Sequence, residues 1–526
     1  MATRLTSFSK FLITLLIVGG IGFSLWYFAN NTEMGNKIKQ QANEKIDNGK
    51  SQSGNSTTGN TISGDDDVLK VQIFTWGGYA PGLYFNEGDK WSKNSRFFTE
   101  YGIKVDFELI DDFDGSRNAW IADEVHLLGN EVSAMNTEME RLAPHDPKIV
   151  LQCDWSRGGD AVVVKRGIKS VNDLRGKKIA YAGFTPSVTF LVSMLESAGM
   201  TLNDIEAVEV PLPTDAANAF KGGKVDAAVV WSPDDLICVR EVPGSKVLQS
   251  TRDASHIIAD IFMVKGAYVR THKEQLAKFY EGWMKGAAEI NAVGSNKAKA
   301  VKILSEVTGL PKADAEGMID NVRLTNHGDN ENFFGLNVNY KGMTAERLYS
   351  KMGNIFAQIG QAPKNRPSWR QLSWPYGAQN ASLNGKSHLS EGSKNFKPAT
   401  KMDKFKPEIS TKPVTISFPT GVSKLDENAK TIIDLQFSEI AKSYANTRIR
   451  VEGNTDNVGS KTMNKALSLK RAQSVAKYLQ EQYNMNPNRF IIVGNGPDKP
   501  VKGCETNATS ACKSKNRRTD FKLVAG

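Results

Sequence analysis

Histidine and cysteine are scarce in this chain, six and four among 526 residues. The histidines are scattered without metal-ligand spacing, and no CxxC or Cys/His cluster occurs, so no metal site is expected. No nucleophile–base signature such as GxSxG is present either, which points away from an enzyme and leaves no cofactor to expect. Internal repeats are absent. Lys and Arg (67) exceed Asp and Glu (57), giving a net charge of +10. The basic residues are spread through every segment rather than gathered into a stripe, so nucleic acid is not the expected partner. An anionic envelope polymer or a membrane surface suits the charge as well.

Charge is missing altogether from FLITLLIVGGIGFSLWYF, Phe11 to Phe28. Eighteen apolar residues reach the lower limit for a transmembrane helix. Arg4 and Lys10 precede it, predicting a cytoplasmic 1–10 segment, and Trp26 and Tyr27 suit the far interface. A cleaved signal peptide is the rival, but no small-x-small site follows the run. The expectation is an uncleaved single-pass anchor in the inner membrane, with the bulk of the chain exported. The run also lacks a carboxylate, which argues against an ion-driven stator.

Residues 29–66 are polar and rich in Gly, Ser, Asn and Thr, and read as a tether with a root-mean-square span of about 35 Å. Strand-like runs such as VLKVQIFTW, KVDFELI, DAVVVK, KKIAYAG, VEVPL and VDAAVVWS then alternate with helical patterns over 67–375, the mark of an α/β domain. A second linker-like stretch covers 376–410. The last domain, 411–526, reads β-α-β-α-β, with VTISF as its opening strand. Cys504 and Cys512 lie close together in a loop-like stretch of it, and an oxidising compartment favours their bridge. Spacing leaves open whether Cys153 and Cys238 meet.

In the helix around Leu467, a 3.6-residue period puts Leu469, Ala472, Ala476 and Leu479 on one face. Asn464, Ser468 and Arg471 fall on a neighbouring, wetter stripe. Asp456 sits in the loop leading into this helix, so a carboxylate and a guanidinium can face one pocket. Such a pair suits a zwitterion, the carboxylate taking an ammonium and the guanidinium gripping a carboxylate. NTDNVG, Asn464, Leu467–Ser468, Arg471–Ala472, GNGPDKP and NRRTDF, in that order, resemble the OmpA-like peptidoglycan-binding domain over about 115 residues. The resemblance implies a periplasmic α+β domain of Gram-negative type that holds the diaminopimelate of the wall stem peptide. It assigns that role to Asp456, Asn464, Arg471 and Arg517, and a disulfide to Cys504 and Cys512.

In the central domain, KKIAYAG runs through FTPS into a helix whose first turn offers backbone N–H groups and the Thr185 and Ser187 hydroxyls, a ready anion site. Trp231 and Asp234 follow one strand, and Trp76, Gly77 and Tyr79 another, where ligands sit in α/β folds. CDWSRGGDAVVV adds Trp155 and Arg157. TWGGYAPG, VNDLRGKKIAYAGFTPS and GKVDAAVVWSPD resemble the two-lobed periplasmic solute-binding proteins of ABC transporters, of the nitrate, sulfonate, taurine, thiamine-precursor or phosphate type. The cysteine-rich iron motif of thiamine-precursor synthases is absent. Arg157 and the Thr185–Ser187 helix start argue for an anion. Trp76, Tyr79, Trp155 and Trp231, with Asp234, argue for a cation in an aromatic box. The balance is set slightly towards an anion or zwitterion.

The expected architecture is thus an α/β two-lobed periplasmic-binding-protein fold, then an α+β OmpA-like domain, with an N-terminal transmembrane helix. The expected function is an anchored periplasmic protein that holds peptidoglycan and a small solute, for transport through an ABC permease or for sensing. The alternative is an envelope scaffold whose middle domain has become a protein-interaction module.

Overall fold

The computed structural model describes residues 67–526 except 293, 393, 417, 419 and 420. The expected anchor at 11–28 and tether at 29–66 lie outside the described residues. Among the described residues, no helix is long and apolar enough to cross a membrane.

The first lobe is a six-stranded sheet of β1 (Val68–Ile73), β2 (Lys104–Leu109), β3 (Leu127–Glu131), β4 (Pro147–Ser156), β10 (Ala259–Lys265) and β11 (Val322–Leu324). Their spatial order is β11-β4-β10-β3-β1-β2. The second lobe holds β5 (Asp160–Val164), β6 (Lys178–Ala182), β7 (Glu206–Val210), β8 (Ala227–Trp231) and β9 (Lys246–Ser250), ordered β7-β6-β8-β5-β9. The chain crosses between lobes after Ser156 and returns after Ser250. The central strands of both sheets are buried on two faces and are apolar runs rather than alternations, as in Asp160–Val164, where every residue is buried, whereas the edge strand β2 alternates and the edge strand β7 is largely exposed.

Three helices place the cleft: α1 (Phe113–Ile121), α2 (Pro186–Ser197) and α3 (Asp234–Glu241). Each starts just past a strand's C-terminal end. Side chains at those helix starts therefore meet across the gap between the lobes.

The last domain carries β12 (Glu408–Val414), β13 (Arg448–Asn454), β14 (Phe490–Gly496) and β15 (Thr519–Val524), ordered β12-β15-β13-β14, with the 23-residue α4 (Lys461–Tyr483) on one face. The opening strand is EISTKPV rather than the expected VTISF. Pro413 is tolerated there because β12 lies at a sheet edge. That edge is covered: the Asn172 amide donates to the Thr411 carbonyl at 3.0 Å and accepts from the Thr411 N–H at 2.8 Å. Helix α4 buries Ala472, Val475, Ala476 and Leu479, whereas Leu469 stays 38% exposed. Asn464, Ser468 and Arg471 are buried rather than wet, because the loops at the sheet's end close over them.

The wall of the second lobe and the last domain share one hydrophobic core, in which Leu195 and Val192 lie with Ile440, Ala441 and Tyr444. The His256 N–H donates to the Ser443 carbonyl at 3.0 Å, and Arg347 pairs with Glu439 at 2.8 Å. Residues 376–410, expected as a soft linker, run as an ordered strap over this junction. Arg157 grips Glu391 at 2.7 Å, Asn326 donates to the Leu389 carbonyl at 2.6 Å, and Phe396 is buried beside the Arg448 guanidinium. Polar composition suggested a free chain, but side-chain hydrogen bonds satisfy its irregular backbone.

Candidate functional site

A cleft of about 410 Å³ opens between the two lobes. Trp76, Tyr79, Trp231 and Asp234 line it, as the sequence led us to expect. The Trp76 indole donates to Asp154 at 3.2 Å and lies so close to Gly159 that a Cβ there would come within 2.0 Å of the ring. The Trp231 indole donates to the Ser187 hydroxyl at 3.0 Å, which fixes its ring across the gap from Phe113, 6.4 Å away. Gly77 serves packing: a Cβ would lie 2.3 Å from the Met318 carbonyl.

The remaining expected residues are elsewhere or already engaged. Trp155 packs edge-on to His256 and Phe333, beside a hollow of about 20 Å³ that is too small for a solute. Arg157 is beside it, bonded to Glu391 and to the Ser255 carbonyl at 2.9 Å, and does not line the cleft. Thr185 caps α2 by accepting from the Ser187 N–H at 3.2 Å and donating to the Ala182 carbonyl at 2.9 Å. Ser187 is fully buried, its hydroxyl engaged with Trp231.

Sequence reasoning passed over Phe74, Phe113, Phe184, Arg117, Glu131, Glu138, Asp160 and Asp260, all in the cleft wall. Two signals were available. DDFDGSR follows a strand end just as TWGGY does, and Asp260 is an acid inside the otherwise apolar ADIFMV. Phe184 adopts φ 56°, a left-handed conformation costly for an aromatic residue, and presents a half-exposed ring at the mouth. Arg117 is fully buried and committed to Glu138, through Nε at 2.6 Å and Nη2 at 2.8 Å, with Nη1 donating to Ser116 at 3.0 Å.

Burial pushes the Asp160 carboxyl up to about 7, against the Ser156 hydroxyl that donates to it at 2.7 Å. Burial likewise raises Glu131 to about 7, against backbone N–H groups of Ser133 and Ala134. A carboxyl with a raised folded-state pKa stabilises the fold fully below the ordinary carboxylate range. That contribution is lost as pH rises towards 7, where the folded state must ionise a buried acid. Thermal denaturation of the unliganded chain should therefore give a Tm roughly 5 °C lower at pH 8 than at pH 5, and Asp160→Asn should flatten part of that slope.

The second site is at the end of β13. Asp456 and Arg471 are 8% and 7% exposed, and Arg517 Nη1 donates to Asp456 Oδ2 at 2.6 Å. The Val458 N–H donates to Oδ1 at 3.1 Å, and Asn464 holds the loop by donating to the Val458 carbonyl at 2.9 Å. Arg471 lies 4.7 Å over the Phe418 ring, and its Nε donates to the Val422 carbonyl at 3.1 Å. Burial lowers the Arg471 pKa, the Arg517 charge lowers it further, and Asp456 opposes both. All four residues expected here are therefore together, with two guanidinium groups around one carboxylate. Cys504 and Cys512 are bonded, and the bridged loop touches the site where Asn457 donates to the Thr506 carbonyl at 3.4 Å. Cys153 and Cys238 are free and buried.

Residues 417–516 match the OmpA family, and residues 156–293 match the NMT1/THI5 like family. The C-terminal unit is an OmpA-family domain, and the central module contains an NMT1/THI5-like one. Outer membrane protein Omp38 of Acinetobacter baumannii is 36% identical over 107 residues, 19% of this chain and 29% of that protein. The chain thus spans less than a third of that relative's length. The Escherichia coli protein named "Putative aliphatic sulfonates-binding protein" is 28% identical over 145 residues, 27% of this chain and 43% of its own. Among solved structures, the periplasmic aliphatic sulphonate binding protein SsuA from Escherichia coli aligns with a TM-score of 0.47 at 17% identity, over 64% of this chain and 98% of its own.

Proposed function

We propose that this chain is a non-enzymatic cell-envelope protein with two binding sites, one for peptidoglycan and one for a small solute. The OmpA-family domain grips the diaminopimelate of a wall stem peptide. Asp456 takes its ammonium, and Arg471 and Arg517 take its carboxylate. The central cleft closes on the solute by lobe rotation about the crossings after Ser156 and Ser250. Residues 11–28 anchor the chain in the inner membrane and place the rest in the periplasm of a Gram-negative cell.

The observation that carries this reading is the coexistence, in one compact unit, of a buried site of opposed charges and an open cleft walled by indole rings. The envelope-scaffold alternative needs no open cleft. Because the OmpA-family domain shares its core with the second lobe, closure moves the first lobe relative to the wall. That coupling suits sensing, while delivery would require an ABC permease as partner.

The test uses the full chain in detergent. Co-sedimentation with purified sacculi should retain it, and free diaminopimelate should release it. A solute at about a hundred times its dissociation constant should add roughly 2.7 kcal/mol of stability. Failure to sediment removes the wall role, and the absence of any solute shift favours the scaffold.

A further inference from the structure

The cleft wall is acidic. Six carboxylates line it, from Asp111, Glu131, Glu138, Asp160, Asp234 and Asp260, against the single guanidinium of Arg117. That guanidinium is spent on Glu138 and Ser116. The two features that argued for an anion are both unavailable, since Arg157 lies off the cleft on Glu391 and the Ser187 hydroxyl and N–H are engaged by Trp231 and Thr185.

The acids are also arranged. Asp260 on β10 is directly opposite Glu131 on β3 and directly opposite Asp154 on β4. Three carboxyls thus stand in one row across three neighbouring strands, and like charges placed opposite one another destabilise a sheet. Asp154 is fully buried; it accepts from the Trp76 indole and is hydrogen-bonded to the Asp260 carboxyl, a contact that requires one of the two acids to keep its proton. Asp160 faces the row from the second lobe, paired across its own sheet with Trp231. A row of this kind, left without a cation of its own in an apolar, aromatic-walled cavity, is complementary to a positive ligand.

We propose that the cleft takes an organic ammonium ion whose apolar body lies against Trp76, Phe113 and Trp231 and whose charge is met by Asp260 and Asp160. This rests on the solute-binding reading above and gives that solute its charge. The aromatic faces supply attraction for the cation, and the cavity of about 410 Å³ admits a small metabolite rather than a bare metal ion.

Burial favours the protonated form of these acids when no cation is bound. Burial, reinforced by Asp154, Glu131 and Asp160, raises Asp260 well above the ordinary range, and burial raises Asp154 as well. Tyr79, also pushed up by burial, and the buried Cys153 thiol face the same row and stay neutral. The Arg117 guanidinium, already paired with Glu138, opposes the rise at Tyr79. A bound ammonium ion favours the ionised carboxylates, so binding should release protons near neutrality and tighten as pH rises.

The experiment is isothermal titration of the full chain in detergent with tyramine, putrescine and choline, and in parallel with taurine, ethanesulfonate and nitrate. Titration at pH 5.5 and pH 8, and in phosphate and Tris buffers, reads the proton count. The expected result is binding of at least one ammonium compound, about ten-fold tighter at pH 8, with proton release. Asp260→Asn should weaken it at least ten-fold while keeping the fold, because the neutral amide replaces a carboxyl that is already protonated in the empty protein. If that variant does not fold, Asp234→Asn at the cleft rim should still weaken binding several-fold. Binding of the anions alone overturns the cation assignment and leaves the solute receptor standing. No binding from either class overturns both. Ammonium binding without proton release or pH dependence overturns the role of the carboxylate row.

Discussion

Arg471→Ala should abolish retention on peptidoglycan sacculi, weakening binding at least about thirty-fold. Arg471 is 7% exposed and shares its site with Asp456 and Arg517. Truncating one member of a buried hydrogen-bonded charge group costs about 2–5 kcal/mol, much of it from the partner left without compensation. Asp456→Asn should lose a similar amount, since the neutral amide cannot hold an ammonium and no longer balances two guanidinium groups. Arg517→Ala should cost less, because that side chain is 46% exposed and water screens its pair. Arg471→Lys is the informative control: it keeps the charge and loses the two-pronged grip, so partial recovery would separate charge from geometry. Co-sedimentation measures all four, and unchanged thermal unfolding confirms that the fold survives.

Tyr444→Ala should cost about 3 kcal/mol or more and should split thermal unfolding into two steps. Tyr444 is among the largest fully buried side chains and sits where the second lobe and the OmpA-family domain share a core. Truncation leaves a cavity at a junction otherwise held by the Asn172–Thr411 and His256–Ser443 hydrogen bonds and the Arg347–Glu439 pair. In the unaltered chain the lobe and the OmpA-family domain should melt together, as one cooperative unit. Differential scanning calorimetry distinguishes the outcomes, and a single unsplit transition in the variant would show that the coupling does not depend on Tyr444. The same junction makes an isolated central fragment a poor reagent, because cutting before β12 exposes the apolar surface that Ile440 and Tyr444 cover.

The two sites were legible to different depths. Asp456, Asn464 and Arg471 are together because a loop and the next helix are close along the chain, whereas Arg517, 61 residues from Asp456, was assigned through the family resemblance and is brought in by the pairing of β13 with β15. In the cleft, four of nine assigned residues line the cavity. Trp76 and Trp231 were found because strand ends point into clefts as a rule of α/β topology. Trp155, near the end of β4, and Arg157, just past it, fit the same rule but turn away, since β11 and the strap cover that side. No local pattern could place Glu391, 234 residues away, on the Arg157 side chain.

The sequence alone determined that an α/β module precedes an OmpA-family domain, where the alternating α/β core lies, the strand-end positions of the cleft indoles and the pairing of Asp456 with Arg471 across one loop and helix. Each follows from contacts near in the chain, where periodicity, caps and turn residues act. Only the tertiary structure decided that the 376–410 stretch is a strap, that the OmpA-family domain is fused to the second lobe, and that the cleft is acidic. The last depends on strand register. Asp260, Glu131 and Asp154 are more than a hundred residues apart at their extremes, and hydrogen bonds between β3, β10 and β4 alone bring their carboxyls into one row.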